Sequence, residues 1–151
     1  MPEITEGQPA PAFDMPADGG GRATLSGPTV LYFYPKADTP GCTSEAKDFS
    51  EHADAFAAAG VTVIGVSKDP VKKLDRFKAK YDLKVTLASD ETTDVCERFG
   101  VWVEKSMYGR QYMGIERATF VIDGTGIVRR VWRRVLVKGH AAEVLATVQS
   151  L

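Results

Sequence analysis

The sequence predicts an α/β protein with a mixed central sheet and helices on both faces. Segments typical of strands and of amphipathic helices alternate along most of the 151 residues. The strand segments 29–34 and 61–66 are almost continuously apolar, which is typical of strands covered on both faces. An Asp-Gly turn signal at residues 123–126 adds one antiparallel hairpin, so the sheet is expected to be mixed.

The first part of the chain is expected to hold an arm, strands and two helices. Pro and Gly are frequent in residues 1–22, which predicts an extended arm with only short strands. After the strand at 29–34, apolar residues at spacings of three and four indicate a helix over residues 42–59, and Gly60 ends it. A buried strand at 61–66 and a helix that opens at Asp69-Pro70 and runs to about residue 81 follow.

The second part is expected to continue the alternation, with one irregular stretch. Thr92 or Thr93 is predicted to cap a short helix that contains Val95 and Cys96 and ends at Gly100. Residues 101–115 show no clean period and are predicted to be a loop. The remaining predicted elements are strands at 85–88, 117–122 and 127–137, and a final helix at 139–151.

Composition narrows the classes of function. The net charge of −1 argues against nucleic acid or an acidic membrane as the main partner, because either favours a basic excess. The N-terminus does not resemble a signal peptide and no apolar stretch approaches transmembrane length, so the cytoplasm is the expected location. We expect residues 1–151 to form a single domain. Two cysteines without a CxxC pattern do not make a disulfide scaffold.

Cys42 is the leading candidate for chemistry. Thr39 is predicted as the N-cap of the helix and Pro40 as its first residue, which puts Cys42 in the first turn. Unpaired N–H groups and the helix dipole favour a thiolate there, but a reactive thiolate also needs a nearby cation. The alternative is that Cys42 is simply a small buried apolar residue, which is common for a free cysteine.

The residues around Cys42 resemble the peroxiredoxin signature P-x-x-x-T-x-x-C, in which Pro35, Thr39 and Cys42 fill the fixed positions. A resemblance to the bacterioferritin-comigratory-protein, or peroxiredoxin Q, subfamily lies in the sequence of residues 34–43, Tyr-Pro-Lys-Ala-Asp-Thr-Pro-Gly-Cys-Thr. Segments 100–106 and 114–123 are also similar to that subfamily, so the resemblance covers essentially the whole chain. It implies a thioredoxin-like fold and a thiol peroxidase that reduces hydrogen peroxide and small organic hydroperoxides.

The resemblance also implies roles for individual residues. Cys42 is the expected peroxidatic nucleophile, Thr39 offers its hydroxyl, Pro35 shields the pocket, and Arg117 supplies the missing cation. Glu45 is a candidate partner of Arg117 behind the reacting atoms. The residues alone favour Arg117 as a surface strand arginine in a solvated ion pair with a glutamate, and the family resemblance reverses that preference. Thr39 and Glu45 can also be ordinary residues of a helix N-terminus.

The chain departs from the subfamily where the second cysteine is expected. Many members carry a resolving cysteine five positions after the first, and Lys47 stands there. Cys96 is the other cysteine and is either a resolving residue or inert core packing. We therefore expect a one-cysteine mechanism with an external thiol reductant, namely thioredoxin, glutaredoxin or glutathione. A two-cysteine mechanism through Cys96 is the alternative.

Other functions and ligands are less well supported. A non-enzymatic binding or redox-sensor module is the competing class, and the combined presence of Pro35, Thr39, Cys42 and Arg117 argues against it. His52 and His140 lack ligand partners at metal spacing, so neither a metal nor any other cofactor is expected. Three aromatic residues and a methionine in segment 101–115 (Trp102, Met107, Tyr108 and Tyr112) either line the peroxide entrance, form a subunit contact or pack over a sheet end. We expect a monomer or a homodimer.

Overall fold

A five-stranded mixed sheet forms the centre of the computed structural model, which describes residues 4–151. The predicted behaviour of residues 1–3 lies outside the described residues. The strands are β1 (Asp14–Pro16), β2 (Arg22–Thr24), β3 (Thr29–Phe33), β4 (Thr62–Ser67), β5 (Thr86–Ser89), β6 (Trp102–Met107), β7 (Arg110–Ile115), β8 (Ala118–Ile122) and β9 (Val128–Arg133). The helices are α1 (Pro40–Glu51), α2 (Ala53–Ala58), α3 (Val71–Tyr81), α4 (Val95–Arg98) and α5 (His140–Gln149).

The sheet has the order β5-β4-β3-β8-β9, and its strands run in both directions. β3 pairs parallel with β4 and antiparallel with β8, while β8 pairs antiparallel with β9. All five residues of β3 and of β8 are buried, as predicted for central strands with both faces covered. The mixed α/β sheet predicted from the sequence is confirmed.

Side chains that alternate along β3 divide the core into two layers. Val30 and Tyr32 point to the face that is covered by α1, α2, α3 and α5. Leu31 and Phe33 point to the other face, where α4 and the short β1–β2 hairpin complete the core. Cys42 belongs to the first layer and Cys96 to the second, so the sheet lies between the two cysteines.

The predicted helix over residues 42–59 is two helices. It begins at Pro40 behind the N-cap Thr39, as predicted, but α1 ends at Glu51 and α2 starts at Ala53. At His52 the N–H donates to the Phe49 carbonyl at 3.2 Å, an i→i−3 bond that tightens the turn and interrupts the helix. Gly60 follows with a φ of 76° and closes α2 as the sequence indicated.

The prediction of a loop at residues 101–115 is wrong, because β6 and β7 form an antiparallel hairpin there. Its turn is Tyr108-Gly109, with φ values of 52° and 78°. Positive φ at both central residues is the type I′ geometry, which Asn-Gly usually signals and Tyr-Gly does not. Both strands are largely exposed, so the sequence lacks the alternation of a half-buried strand.

Two further predicted boundaries are wrong for local reasons. Asp94, not Thr92 or Thr93, is the N-cap residue of α4, and the helix N–H groups of Val95 and Cys96 donate instead to the buried Asp90 carboxylate at 3.0 and 2.8 Å. The strand predicted over 127–137 ends at Arg133, because Arg134 adopts a left-handed φ of 51°. The accepting carboxylate belongs to Asp90, four residues before the N-cap, and arginine is not a residue type that usually signals a left-handed turn.

His140 is buried at the start of α5. Its Nε2 atom lies 2.8 Å from the Thr119 hydroxyl, and its ring packs edge-on against Phe49 and Trp132. Burial lowers the pKa of His140 to about 4; the charge of Glu143 opposes this shift and that of Arg117 reinforces it. The folded protein therefore holds this imidazole neutral at neutral pH.

This burial predicts a loss of stability in acid. A histidine with a lowered folded pKa contributes stability above its unfolded pKa of about 6.5, and this contribution is lost as the pH falls towards 4. Between pH 7 and pH 5, the free energy of unfolding of the wild type should fall by about 2 kcal/mol relative to that of His140→Gln. Urea denaturation at both pH values measures the difference.

His52→Gln is the matched control, because His52 is the other histidine and lies at the half-exposed junction of α1 and α2. This variant should keep the acid sensitivity of the wild type. Parallel stability–pH curves for the wild type and His140→Gln would contradict the assignment.

Candidate active site

The register of the central sheet brings Cys42 and Arg117 together. β3 pairs antiparallel with β8 so that Phe33, the last residue of β3, lies opposite Ala118, the first residue of β8. Arg117 therefore precedes β8 at the same edge where the chain leaves β3 towards Cys42. Although 75 positions separate Arg117 from Cys42, strand pairing makes them neighbours.

The loop between β3 and α1 sets the position of Cys42. Thr39 is the N-cap residue, with extended backbone angles, and its carbonyl accepts the Thr43 N–H at 2.8 Å. Its hydroxyl does not cap the helix, contrary to the usual role of an N-cap threonine, but donates to the Lys36 carbonyl at 2.8 Å. Pro40 starts the helix, and Cys42 lies in the first turn with 2% of its surface exposed.

Arg117 forms a fork between a sulfur and a carboxylate. One terminal nitrogen (NH2) lies 3.3 Å from Cys42 Sγ, and the other (NH1) lies 2.6 Å from Glu45 Oε1. Gly41 leaves room for this arrangement, since a Cβ at that position would lie 3.2 Å from the first nitrogen. Burial alone opposes the charge, but Glu45 and Cys42 raise the pKa of Arg117 above its usual value. The guanidinium thus remains charged beside the sulfur.

Glu45 is almost completely buried one turn after Cys42. Burial raises the pKa of Glu45 to about 7, and the adjacent guanidinium only partly offsets this effect. Its second oxygen, Oε2, has no hydrogen-bond partner among residues 4–151, and the same holds for the hydroxyls of Tyr32 and Tyr34. Burial likewise raises the pKa of Tyr32. The fork therefore lies near buried polar groups within an otherwise apolar core layer.

Two grooves open on the surface around this site. The proline groove, about 380 Å³, has Pro35, Lys36, Trp102 and Lys105 in its wall. The arginine groove, about 410 Å³, has Glu104, Lys105, Glu116, Arg117 and Arg134 in its wall.

Lys105 belongs to both grooves and was not singled out from the sequence as a functional residue. Burial and the charge of Arg117 lower its pKa. Its placement depends on the β6–β7 hairpin, which the sequence did not reveal.

The four aromatic and methionine residues noted in this segment all lie on that hairpin or at its turn. Met107 and Tyr108 are at the tip, with 54% and 99% of their surface exposed, and Tyr112 is 42% exposed. Trp102 is half-buried, and its ring lies 4.8 Å from the Lys68 ammonium. Trp102 and Tyr112 are both in the wall of the proline groove.

Cys96 is not brought to the site. It is fully buried among Val95, Phe99 and other residues of the opposite core layer. Burial and the nearby Asp90 carboxylate raise the pKa of Cys96 far above its usual value. Lys47, in the position where a resolving cysteine is common, is exposed on α1 with its ammonium 5.9 Å from the Tyr81 ring.

Of the predicted site residues, Arg117 is in direct contact with both Cys42 and Glu45, and Pro35 and Thr39 lie in the loop that leads to them.

Within residues 4–151, no cluster of three or more His, Cys, Asp or Glu side chains has the arrangement of a metal site. In the same residues, no helix is both long enough and apolar enough to cross a bilayer.

The sheet order and a cysteine at the start of a helix define a thioredoxin-like thiol protein, and comparisons with known proteins identify the family. The model of the AhpC/TSA family matches residues 6–131. A putative peroxiredoxin bcp of Coxiella burnetii is 49% identical, covering 94% of this chain and 97% of its own. Peroxiredoxin Bcp of Bacillus subtilis is 44% identical, covering 98% and 97%.

Solved structures agree with this result. A crystal structure of a Xylella fastidiosa PrxQ variant superposes with a TM-score of 0.92 at 36% identity, covering 99% of this chain and 98% of its own. The bacterioferritin comigratory protein of Xanthomonas campestris, described with an alkyl peroxide reduction activity, has a TM-score of 0.86 at 43% identity, covering 91% and 90%. The chain belongs to the AhpC/TSA family, and it is a thiol-dependent peroxidase with the thioredoxin-like fold.

The buried Glu45 predicts a pH-dependent stability of opposite sign to that of His140. Its folded pKa of about 7 is above the unfolded value, so its contribution is fully present in acid and is lost as the pH rises through 7. The free energy of unfolding of Glu45→Gln should therefore rise by about 2 kcal/mol relative to that of the wild type between pH 5 and pH 8. Urea denaturation at the two pH values tests this.

Glu51→Gln serves as the control, because Glu51 is an exposed acid at the other end of α1. Its stability difference from the wild type should stay constant over the same range. A constant difference for Glu45→Gln as well would show that the Glu45 carboxyl titrates as it does in the unfolded chain.

Proposed function

We propose that Cys42 is the peroxidatic cysteine and that Arg117 activates it. The observation that supports this most strongly is the fork of Arg117 between Cys42 Sγ and Glu45 Oε1. A thiolate at the first turn of α1 gains from the helix dipole and from this guanidinium together. Cys42 thus has the positive surroundings that distinguish a reactive cysteine from an inert buried one.

In the oxidation step, the Cys42 thiolate attacks one oxygen of the peroxide. The S–O bond forms as the O–O bond breaks, and Cys42 becomes a sulfenic acid. The leaving hydroxide or alkoxide takes up a proton to give water or an alcohol. Sulfur loses two electrons and the peroxide gains them, so no cofactor takes part.

The neighbouring residues orient the peroxide. Arg117 stabilises the negative charge that moves onto the leaving oxygen, as a fixed cationic donor does best in a site shielded from water. Thr39 turns its hydroxyl from the Lys36 carbonyl towards the peroxide, and Pro35 covers the pocket at the edge of the proline groove. Glu45 acts through Arg117, because its bond to NH1 fixes the orientation of the guanidinium.

An external thiol resolves the sulfenic acid in this proposal. The thiol attacks Cys42 sulfur, water leaves, and a mixed disulfide forms; a second thiol then releases Cys42 as a thiol. Lys47 offers no local sulfur, and Cys96 is on the other side of the sheet. A disulfide needs Cα atoms within about 7 Å, so a bond to Cys96 requires local unfolding.

The remaining expectations complete the proposal. Residues 1–151 act as one domain, as a monomer or homodimer. Hydrogen peroxide and small organic hydroperoxides are the substrates, and thioredoxin, glutaredoxin or glutathione is the reductant. A reducing compartment such as the cytoplasm fits an enzyme that depends on external thiols.

Peroxide consumption tests the roles of Cys42 and Arg117. With an excess of dithiothreitol, Cys42→Ser should lose the activity because its hydroxyl does not replace the thiolate. Arg117→Gln should lower the second-order rate constant by about 100-fold or more, the usual cost of losing one transition-state donor. Horseradish peroxidase competition or direct peroxide detection measures both.

Arg133→Gln is a matched control. Like Arg117, Arg133 pairs with a glutamate, in this case Glu116 at 3.3 Å. The side chains of the two arginines are similarly buried, with 19% of Arg133 and 17% of Arg117 exposed, but Arg133 does not contact Cys42. It should retain nearly the full rate constant. Equal peroxide consumption by the wild type and Cys42→Ser would sink the proposed function.

Mass spectrometry tests the one-cysteine mechanism. After one equivalent of hydrogen peroxide, the intact protein should gain one oxygen, and a dimedone adduct should map to Cys42. Cys96→Ser should behave identically, because Cys96 takes no part. A Cys42–Cys96 disulfide in high yield would show that the two-cysteine alternative is correct.

A further inference from the structure

The Arg117 side chain connects the arginine groove to the Cys42 sulfur. Arg117 is part of the groove wall, and a terminal nitrogen of the same residue is 3.3 Å from Cys42 Sγ. A molecule in this groove is therefore separated from Cys42 by a single side chain. Its volume of about 410 Å³ falls in the range of about 300–1,000 Å³ that is usual for small-molecule clefts.

The wall of the groove is rich in charge of both signs. Lys105, Arg117 and Arg134 supply three cations, and Glu104 and Glu116 supply two carboxylates. Part of this charge is already used: Arg117 pairs with Glu45, and Glu116 pairs with Arg133 and Arg134, both at 3.3 Å.

The rest of the charge is exposed at Glu104 and Arg134 and half-buried at Lys105. Within residues 4–151, neither Glu104 nor Lys105 forms an ion pair. Arg134 uses only its Nε atom towards Glu116, and its side chain is 91% exposed. The groove thus presents two cations and one carboxylate to a ligand.

We infer that the arginine groove binds the external thiol, and that this thiol is a small molecule with carboxylates and an ammonium, of the glutathione class. Its two carboxylates match Lys105 and Arg134, and its ammonium matches Glu104. Burial and Arg117 lower the pKa of Lys105, and an arriving carboxylate favours its charged form. The inference rests on the proposed function, since the thiol must meet a Cys42 sulfenic acid.

In this scheme, peroxide uses the proline groove and the thiol uses the arginine groove. Peroxide reaches Cys42 past Pro35, and the thiol reaches it from the other side of Lys105. The thiol sulfur bonds to Cys42 sulfur as water leaves, which gives a mixed disulfide. A second thiol takes the first as its disulfide and returns Cys42 to the reduced state.

The experiment measures the reductive step alone. Cys42 is oxidised with one equivalent of hydrogen peroxide, mixed with glutathione or with uncharged dithiothreitol, and followed by mass spectrometry of quenched samples. For the wild type, salt should slow the reaction with glutathione and leave that with dithiothreitol unchanged.

Arg134→Gln should lower the rate constant for glutathione about fivefold, the equivalent of about 1 kcal/mol for an exposed ion pair, and should not lower that for dithiothreitol. Arg129→Gln is the matched control, because Arg129 is an exposed arginine of β9 that pairs with Asp123 outside the groove. It should leave both rate constants unchanged.

A second variant tests the carboxylate of the groove. Glu104→Gln should lower the rate constant for glutathione and raise that for N-acetylcysteine, which carries a carboxylate without an ammonium. Glu104 is exposed, so the fold should tolerate this change, and an unchanged melting temperature would verify it.

Two outcomes would overturn the inference. They are an equal effect of Arg134→Gln on the rate constants for glutathione and for dithiothreitol, and a rate constant for glutathione that does not respond to salt. Absence of a Cys42 sulfenic acid after peroxide would overturn the proposed function as well. Normal oxidation followed by charge-independent reduction overturns the inference alone.

Discussion

The Arg117 guanidinium contacts Cys42 sulfur and Glu45 carboxylate at once, and this fork joins parts of the chain that are far apart in sequence. It depends on the antiparallel pairing of β3 with β8, because a shift of register would move Arg117 along the strand direction and away from α1. It also depends on the loop at Pro35, which sets α1 over the same edge. The central sheet therefore serves the site mainly through its register.

Burial of the Glu45 carboxyl beside Arg117 costs free energy. A carboxyl buried in an apolar layer loses its hydration, and one guanidinium does not replace all of it, as the raised pKa and the unpartnered Oε2 indicate. Glu45 still gives Arg117 a second fixed contact, so the guanidinium approaches the sulfur in one orientation. Tyr32 packs in the same core layer as Cys42, and Gly65 opposite it is required, since a Cβ there would lie 2.5 Å from the tyrosine ring.

Local signals in the sequence were enough to predict the central strands, the start of α1 at Pro40 and the place of Cys42 in its first turn. The contact with Arg117 came from the family resemblance, because strand pairing over 75 positions leaves no local signal. The β6–β7 hairpin was missed since both its faces are largely exposed and its turn is Tyr-Gly. Lys105 was missed for the same reason, since its position is defined only once the hairpin is formed. The Asp90 cap of α4 acts across five and six residues, outside the usual capping pattern.

In the mechanism that we propose, the two core layers separate the residues that activate Cys42 from Cys96. Everything that we propose to activate Cys42 lies on its own side of the sheet or at the sheet edge, whereas Cys96 packs in the other layer with a strongly raised pKa. A buried thiol held protonated is a poor nucleophile, so Cys96 would have to leave its layer before it attacked a sulfenic acid. That movement would expose Phe99 and its neighbours and would release the Asp90 cap of α4, at a cost that an incoming small thiol avoids. The route through the solvent-facing groove therefore needs less rearrangement than the route through the sheet.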